Sequence, residues 1–308
     1  MKKIAVIDIG TNSFHMIIAY LDNKDRIQII ERARKVLRLN FNSQSNIISP
    51  EAIQKAINVI ELFKKLSEKH KAELKAVATS AVREAKNKKE FIQEIYNKTK
   101  VNIEVIDGKR EAELIYLAVR KSLNLSNETA LCIDIGGGST EIIIGSRDKI
   151  IFAESLKIGA VRLTKMFFNN SIITKENIYE CKNYIEKELS EVVEKIKKIK
   201  RDLVIGTSGT INSVALMNNA IHNKTLTKNE LNGISFSSND LEIIQENVLS
   251  CKTIEERKKI KGLEEKRADV ISAGIIILHT LFKFLDIKKI TISGFALREG
   301  IVIDYFKK

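Results

Sequence analysis

Short apolar runs alternate along the chain with longer segments whose apolar positions recur every three to four residues. Apolar runs of a few residues between polar turns predict buried strands, and the helical spacing predicts amphipathic helices. Residues 4–9 form the first run, and residues 14–21 and 27–32 follow it after short turns. The chain is therefore predicted to open with three consecutive strands, the first two joined as a hairpin.

The same order of elements occurs twice. Residues 4–13 and 130–139 each contain an apolar strand, Asp, Ile, Gly, two small residues and Ser. Further strands follow each hairpin, and two more segments recur in the same order: residues 74–81 with 203–210, and residues 103–114 with 290–300. Ordered matches of this kind indicate an internal duplication. Each half is predicted as βββ-α-β-α-β-α, with extra helices in the second half at 175–200 and 238–285.

The predicted fold class is α/β, with two domains at residues 1–125 and 126–308. Each domain is predicted to hold a mixed five-stranded sheet flanked by helices, and a cleft is expected between the domains. A chain of 308 residues agrees with two domains, since a domain takes roughly 150 residues. The C-terminal helix from about residue 297 is a candidate to pack back on the first domain.

Composition leaves two explanations open. Lys and Arg total 52 and Asp and Glu total 39, so the formal net charge is +13. A polyanionic partner would explain the excess, and so would codon bias of an AT-rich genome, because most of the cations are Lys. A band of Lys at the mouth of the cleft would favour the partner. No aromatic interleaving, zinc finger or helix-turn-helix pattern accompanies the charge, so a nucleic-acid partner is not predicted.

The cysteines and the apolar stretches bear on the compartment. Three distant cysteines without a CxxC pair predict neither a disulfide framework nor a zinc site. The N-terminal run is too short and too acidic for a signal peptide. Residues 270–285 carry His279 and Lys283 and are interpreted as a buried helix, not as a membrane span. A cytoplasmic protein without a membrane partner is predicted.

The turns after the repeated strands are rich in Gly, Thr, Asn and Ser. Such turns expose backbone N–H groups, and a strand-to-helix turn adds the positive end of a helix dipole. They therefore predict phosphate binding, although none matches the nucleotide P-loop or the dinucleotide fingerprint. The candidate phosphate- and substrate-binding residues are Asn12, Ser13, Thr79, Ser80, Arg83, Gly136, Gly137, Gly138, Ser139, Gly206, Ser208, Gly209 and Thr210.

Acidic residues beside phosphate-binding turns need a cation to offset repulsion. Asp8 and Asp134 end the two repeated strands, and Glu141 lies on the strand after Asp134. Because Mg²⁺ takes carboxylate and water oxygens, Asp134, Glu141 and Asp8 are candidate metal ligands. Capping of turn amides by the two Asp side chains is the alternative. Glu111 and Glu113 open a helix, where an acid is ordinarily favoured by the dipole, and only one of them is expected to face the cleft.

The motifs together resemble a known family. The two Asp-Ile-Gly hairpins are similar to the phosphate loops of the actin, Hsp70 and sugar-kinase superfamily, which implies two ribonuclease-H-like domains. The whole set resembles the exopolyphosphatases and guanosine pentaphosphate phosphatases (Ppx/GppA) in their short, two-domain form. The matching segments are residues 7–16, 78–83, 108–112, 133–141, 206–210, 267–270 and 297–300.

The resemblance implies roles for individual residues. Glu111 would position or deprotonate the attacking water, and Asp134 and Glu141 would bind the divalent cation, Mg²⁺ or Mn²⁺, and assist the water. Arg83 and the turns would contact phosphate. Catalysis of phosphoryl transfer would then rest on positioning and charge neutralisation. Ser208 departs from the pattern, since relatives often carry Gly at that place.

The function predicted from the resemblance is metal-dependent, processive hydrolysis of the terminal phosphate of inorganic polyphosphate. The first alternative is 5′-phosphohydrolysis of guanosine pentaphosphate (pppGpp), which would connect the chain to the stringent response. A nucleotide-binding sensor or a kinase of the same superfamily is the further alternative. A homodimer is a further expectation from the family.

Overall fold

The computed structural model describes residues 1–39, 46–147, 149–168 and 172–307. The chain divides into two compact units, which we call the first unit (Met1–Ala118 with Leu297–Lys308) and the second unit (Val119–Ala296). The C-terminal helix thus groups with the first unit, where it packs on the first three strands. The predicted boundary of independent domains at residues 125/126 stays a prediction.

The first unit is built on a five-stranded sheet with the order β3-β2-β1-β4-β5. The first three strands are antiparallel neighbours, and β4 and β5 run parallel to β1. The strands are β1 (Ile4–Ile9), β2 (Ser13–Leu21), β3 (Ile27–Val36), β4 (Glu73–Ala78) and β5 (Ile103–Val105), and the helices are α1 (Pro50–Lys69), α2 (Ser80–Arg83), α3 (Lys88–Thr99), α4 (Gly108–Leu123) and the C-terminal α11 (Leu297–Lys307).

The second unit repeats this sheet and adds one strand, giving the order β10-β11-β9-β6-β7-β8. The sixth strand, β10, pairs antiparallel with β11 at the edge and was not expected from the sequence. The strands are β6 (Thr129–Ile135), β7 (Thr140–Ser146), β8 (Lys149–Leu156), β9 (Leu203–Thr207), β10 (Ser235–Ser237) and β11 (Lys289–Ile292), and the helices are α5 (Ala160–Phe167), α6 (Lys175–Ile196), α7 (Ser208–Ile221), α8 (Ser238–Ser250), α9 (Ile254–Lys258) and α10 (Ile271–Phe284).

The interior strands β1 and β6 are almost entirely buried, in agreement with their continuous apolar sequences. A strand covered on both faces needs apolar side chains at successive positions, whereas a strand with one wet face alternates. The edge strands β3 and β8 show the alternating, half-exposed pattern. Each Asp-Ile-Gly motif therefore lies at the carboxyl end of a buried strand in the interior of its sheet.

Helix α10 is buried along most of its length, where α5, α6, α7 and α8 pack around it. This packing confirms the interpretation of residues 270–285 as a buried helix. Among all the helices that the structure describes, none is long and apolar enough to cross a membrane.

Candidate functional site

Each unit carries a hairpin turn of the predicted kind. We call residues 10–13, between β1 and β2, the first loop, and residues 136–139, between β6 and β7, the second loop. Each loop begins with a glycine, and a Cβ there would lie 3.1 Å from the carbonyl oxygen of the loop's last residue. The two loops therefore close with the same tight geometry, and a side chain at the first position would crowd the turn.

In the first loop, the carbonyl groups are bound by the segment that follows β3. The N–H groups of Leu37 and Arg38 donate to the carbonyl of Asn12 at 3.2 and 3.0 Å, and that of Leu39 donates to Thr11 at 3.1 Å. The side-chain Oδ1 of Asn12 is buried, with no hydrogen-bond partner among the described residues. A buried acceptor without a donor is costly, so this oxygen fits a donor supplied by a ligand or by its water.

In the second loop, the segment that follows β8 binds the carbonyl groups. The N–H of Ala160 donates to Gly136 at 3.0 Å, and the N–H groups of Val161 and Arg162 donate to Gly137 at 2.9 and 3.0 Å. These donors are the first amides of helix α5, which in a helix have no partner within the helix itself. The carbonyl side of the loop is therefore occupied by protein.

Two acidic residues of the second unit lie directly opposite each other beside this loop. Asp134 on β6 and Glu141 on β7 are register partners, and Thr207 and Ser155 continue the same row on β9 and β8. Both carboxylates are buried, and Ser155 Oγ donates to Glu141 Oε1 at 2.7 Å. Register partners on one face of a sheet are close neighbours, so the predicted pairing of Asp134 with Glu141 on one hairpin is present.

The matching row of the first unit has different chemistry. Asp8 on β1 is the register partner of His15 on β2, which is in turn the partner of Arg34 on β3. His15 Nδ1 lies 3.3 Å from Nη1 of Arg298 on α11. Burial raises the pKa of Asp8 to about 6, although the charge of Arg298 opposes that shift and the charge of Glu299 adds to it. Burial, one cation and one acid thus act on the charge of Asp8.

Glu111 lies in the first turn of α4 and is buried. Its Oε2 accepts a hydrogen bond from Arg83 Nη1 at 2.8 Å, and the same nitrogen donates to the carbonyl of Ile106 at 3.2 Å. Glu113, two residues later, is more exposed and pairs with Arg110 at 3.2 Å. The structure therefore separates the two acids: Glu111 is held by a second candidate site residue, and Glu113 forms a surface ion pair.

The strand-to-helix turn after β4 places Thr79 and Ser80 in buried positions. Ser80 Oγ donates to Glu84 Oε1 at 2.8 Å, so its hydroxyl is engaged within α2. The side chain of Ser13, at the end of the first loop, accepts from Arg34 Nε at 3.3 Å. Backbone amides remain the groups of these turns that suit an anion, as helix N-termini generally do.

The corresponding turn after β9 begins α7 with an unusual residue. Ser208 has a φ of +69°, in the left-handed region that favours glycine. Its Oγ donates to the carbonyl of Ile135 at 2.6 Å, and this bond offsets part of the conformational cost. The departure from Gly at this position thus has a local compensation that ties the α7 turn to the end of β6.

The glycines of the α7 turn serve close packing. A Cβ on Gly206 would lie 2.7 Å from side-chain atoms of Ile211 and Ile290, so this glycine allows helix and strand to approach. A Cβ on Gly209 would lie 1.8 Å from the guanidinium of Arg267, which therefore rests on the N-terminus of α7. The sequence predicted no contact for Arg267, which lies in one of the segments that resemble the family. The contact spans 58 positions and carries no local signal in the sequence.

The buried hydroxyl of Thr210 completes this turn. A Cβ on Gly274 of α10 would lie 2.6 Å from Thr210 Oγ1, so the threonine side chain packs against that helix. Among the residues that the structure describes, no group of three or more His, Cys, Asp or Glu side chains is arranged to hold a metal ion. The three predicted metal ligands do not all lie in one unit, since Asp8 belongs to the first and Asp134 and Glu141 to the second.

The geometry can now be compared with known proteins. The sequence profile of the Ppx/GppA phosphatase family matches residues 16–308. The chain belongs to the Ppx/GppA phosphatase family. It is 33% identical over 306 residues to a putative exopolyphosphatase of Haemophilus influenzae, covering 98% of this chain and 91% of that protein.

Other relatives agree with the family assignment. A bifunctional 3-dehydroquinate synthase/phosphatase of Fusobacterium nucleatum is 32% identical over 301 residues, which cover 91% of this chain and 43% of that protein. An exopolyphosphatase crystal structure from Cytophaga hutchinsonii has a TM-score of 0.92 at 30% identity and covers 99% of this chain and 98% of that one. The Aquifex aeolicus member of the Ppx/GppA family has a TM-score of 0.83 at 30% identity, with the same coverage.

Membership confirms the fold class predicted from the sequence, two actin-like α/β domains, with the sixth strand β10 as an addition to the second sheet. It also confirms the enzyme class, because the Ppx/GppA family consists of phosphatases that hydrolyse phosphoanhydrides.

Proposed function

We propose that this Ppx/GppA phosphatase is an exopolyphosphatase that removes the terminal phosphate of inorganic polyphosphate processively. The observation that carries the proposal is the second loop, where a turn of three glycines and a serine adjoins the buried pair Asp134 and Glu141. Amide groups suit phosphate oxygens, and paired carboxylates suit a hard cation. Relatives described as exopolyphosphatases support the same substrate.

The carboxylate pair fits a divalent cation, Mg²⁺ or Mn²⁺. Two acids buried as neighbours repel each other unless protons or a cation compensate their charge. Asp134 and Glu141 would supply two oxygen ligands, with water completing the shell, as is usual for Mg²⁺. When bound, the cation would neutralise charge on the phosphate oxygens. Asp8 as a third ligand stays a prediction.

Glu111 is proposed to hold the attacking water in line with the terminal phosphate. The bond from Arg83 holds Oε2 of Glu111 at 2.8 Å. Because a carboxylate can accept about four hydrogen bonds in all, Glu111 can also accept one from the attacking water. A guanidinium has five N–H donors, so Arg83 can bind a phosphate oxygen with other nitrogens while Nη1 holds Glu111. Positioned groups of this kind supply most of the catalysis in phosphoryl transfer.

The proposal is tested by measuring phosphate release from long-chain polyphosphate and from pppGpp side by side, with Mg²⁺ present. We expect polyphosphate to be the better substrate, and electrophoresis to show long chains persisting beside free phosphate, as processive hydrolysis requires. Faster hydrolysis of pppGpp would make the chain a pentaphosphate phosphohydrolase instead. Tight binding of either compound without phosphate release would indicate a sensor.

The role of Glu111 is tested by Glu111→Gln, which keeps the size of the side chain and removes the base. We expect a loss of about 10²- to 10⁴-fold in turnover, the range for a positioned general base. Glu113→Gln is the matched control, because it makes the same change on the same helix at a residue paired only on the surface. Near-normal turnover of the Glu111 variant, with both variants folded by circular dichroism, would refute the assignment.

A further inference from the structure

The second loop has a side-chain contact that the sequence did not predict. Arg162, on α5, donates from Nε to the carbonyl oxygen of Gly138 at 2.8 Å. The neighbouring carbonyls of Gly136 and Gly137 are bound by the first amides of α5. Three consecutive carbonyl groups of the loop therefore face α5, and the third of them is held by this arginine.

The direction of these carbonyls decides the direction of the amides. In a planar trans peptide, the carbonyl of one residue and the N–H of the next point in opposite directions. The bonds to α5 therefore turn the N–H groups of Gly137, Gly138 and Ser139 away from that helix. The N–H of Ser139 belongs to the peptide whose carbonyl Arg162 holds, so the aim of this amide depends on a side chain.

The second loop and the residues just before α5 are in close contact. A Cβ on Gly159, just before α5, would lie 2.5 Å from the carbonyl oxygen of Gly137 and from the carbonyl carbon of Gly138. Thr140 also donates to the carbonyl of Ile158, one residue before that glycine. Gly137 and Thr140, which lie before and after Gly138 in the sequence, therefore both contact the residues just before α5.

We propose that Arg162 is a positioning residue for phosphate binding: its Nε–H holds the Gly138–Ser139 peptide so that the Ser139 amide faces the phosphate. The inference rests on the proposed function in one respect, namely that the second loop binds phosphate. Arg162 itself need not touch the substrate. Loss of the bond leaves the peptide free to rotate, and the amide then spends less time aimed at the anion.

The test compares two substitutions of matched shape. Arg162→Gln keeps an N–H donor at the position of Nε, and Arg162→Met places a methyl group there. For Arg162→Met we expect the KM for tripolyphosphate to rise about tenfold, the weight of one hydrogen bond that orients an amide toward an anion. Arg162→Gln should stay within about threefold of the wild type. A merely structural role would lower the active fraction, and thus kcat, and leave KM unchanged.

Arg201→Met is the control within the same unit. Arg201 also donates to a backbone carbonyl, that of Leu285, but this contact secures the end of α10 and not the loop. We expect its KM to equal that of the wild type. An unchanged KM in Arg162→Met, or an equal rise in the Gln and Met variants, would overturn the proposal. If Arg162→Met does not fold, a tenfold rise in Arg162→Gln overturns it, and a KM within threefold supports it.

Failure of the proposed function gives a different result. If the wild type releases no phosphate from any substrate, the exopolyphosphatase assignment falls, and the inference about Arg162 is decided by calorimetric binding of tripolyphosphate. Weaker binding by about tenfold in Arg162→Met, with Arg162→Gln and Arg201→Met unchanged, would still support it. Equal affinities, or no binding to the wild type, would refute it.

Discussion

The two hairpins descend from one pattern and differ most in the row of residues beside the loop. In the second unit Asp134 faces Glu141 across the strands. In the first unit the corresponding partner of Asp8 is His15, with Arg34 beyond it. The register is the same, but a pair of acids in one unit corresponds to an acid beside a histidine in the other, with an arginine one strand further on. The backbone of the duplicated unit thus persists while its side chains specialise.

The groups that donate hydrogen bonds to the carbonyls of the two loops also differ. The first loop is bound by the segment after β3, at two carbonyls. The second loop is bound by the start of α5 at two carbonyls and by Arg162 at a third. A helix holds its own amides in fixed directions, so the second loop has the more rigid support. The proposed phosphate contact of the second loop therefore depends on more supporting hydrogen bonds than that of the first loop.

The largest expected effect comes from substituting one member of the acid pair. Glu141→Gln should lower phosphate release by about 10²- to 10³-fold, the usual effect of losing one well-placed charge-stabilising group. It should also weaken the dependence of the rate on Mg²⁺, measured by titrating the cation. His15→Gln, at the corresponding place of the first unit, should stay within about threefold. A Mg²⁺ response that is the same in Glu141→Gln and in the wild type would show that the pair does not bind the cation.

Replacing Ala by Gly should change stability in opposite directions at the two strand-to-helix turns. Ser208, the first residue of α7, has a positive φ, whereas Ser80, the first residue of α2, is an ordinary helical residue. Gly is better than Ala at a left-handed position by about 1 kcal/mol, and worse in a helix by about 0.5–1 kcal/mol.

We therefore expect Ser208→Gly to be more stable than Ser208→Ala, and Ser80→Gly to be less stable than Ser80→Ala. Free energies of unfolding from urea titrations measure all four variants. The same order at both sites would contradict the difference in backbone conformation between the two turns.

The last expected effect depends on pH and concerns α10, one of the extra helices of the second unit. Burial and, to a smaller extent, the charge of Lys283 lower the pKa of His279 to about 4. The unfolded chain then binds more protons than the folded one between about pH 6.5 and pH 4, so stability should fall as the pH drops through that window.

The expected loss is about 1 kcal/mol, after discounting for the partial exposure of the group. Thermal unfolding of the wild type and of His279→Gln between pH 7 and pH 4 measures it. The variant should lose less stability than the wild type over this range. Parallel curves for the two proteins would exclude His279 as the source.

Many features of the site were predictable because they are local in sequence. The Asp-Ile-Gly turns, the helix start at Glu111 and the strand after Asp134 each show a pattern of polarity within a few residues. The repetition of the motifs also predicted that the two sheets share a topology. The register that places Asp134 opposite Glu141 follows from the shortness of the turn between their strands.

Other features depend on contacts between distant segments. Arg83 and Glu111 are 28 positions apart, and Arg267 reaches the N-terminus of α7 from another helix boundary. The residues around an arginine in the sequence do not show which distant residue it will contact. The strand β10 escaped for a related reason, since its three residues are too few to show a period.

The duplication, the positions of the loops and the family were predictable from the sequence, because they depend on the order of residues along the chain. The folded structure was needed to show which groups of the loops face protein and which side chains hold them there. The carbonyls of the second loop accept hydrogen bonds from the start of α5 and from Arg162, and Ser208, with its positive φ, donates to the end of β6. Each of these bonds joins segments that are distant in the sequence. Because peptides are planar, these hydrogen bonds also fix the directions of the loop amides, which we propose bind phosphate.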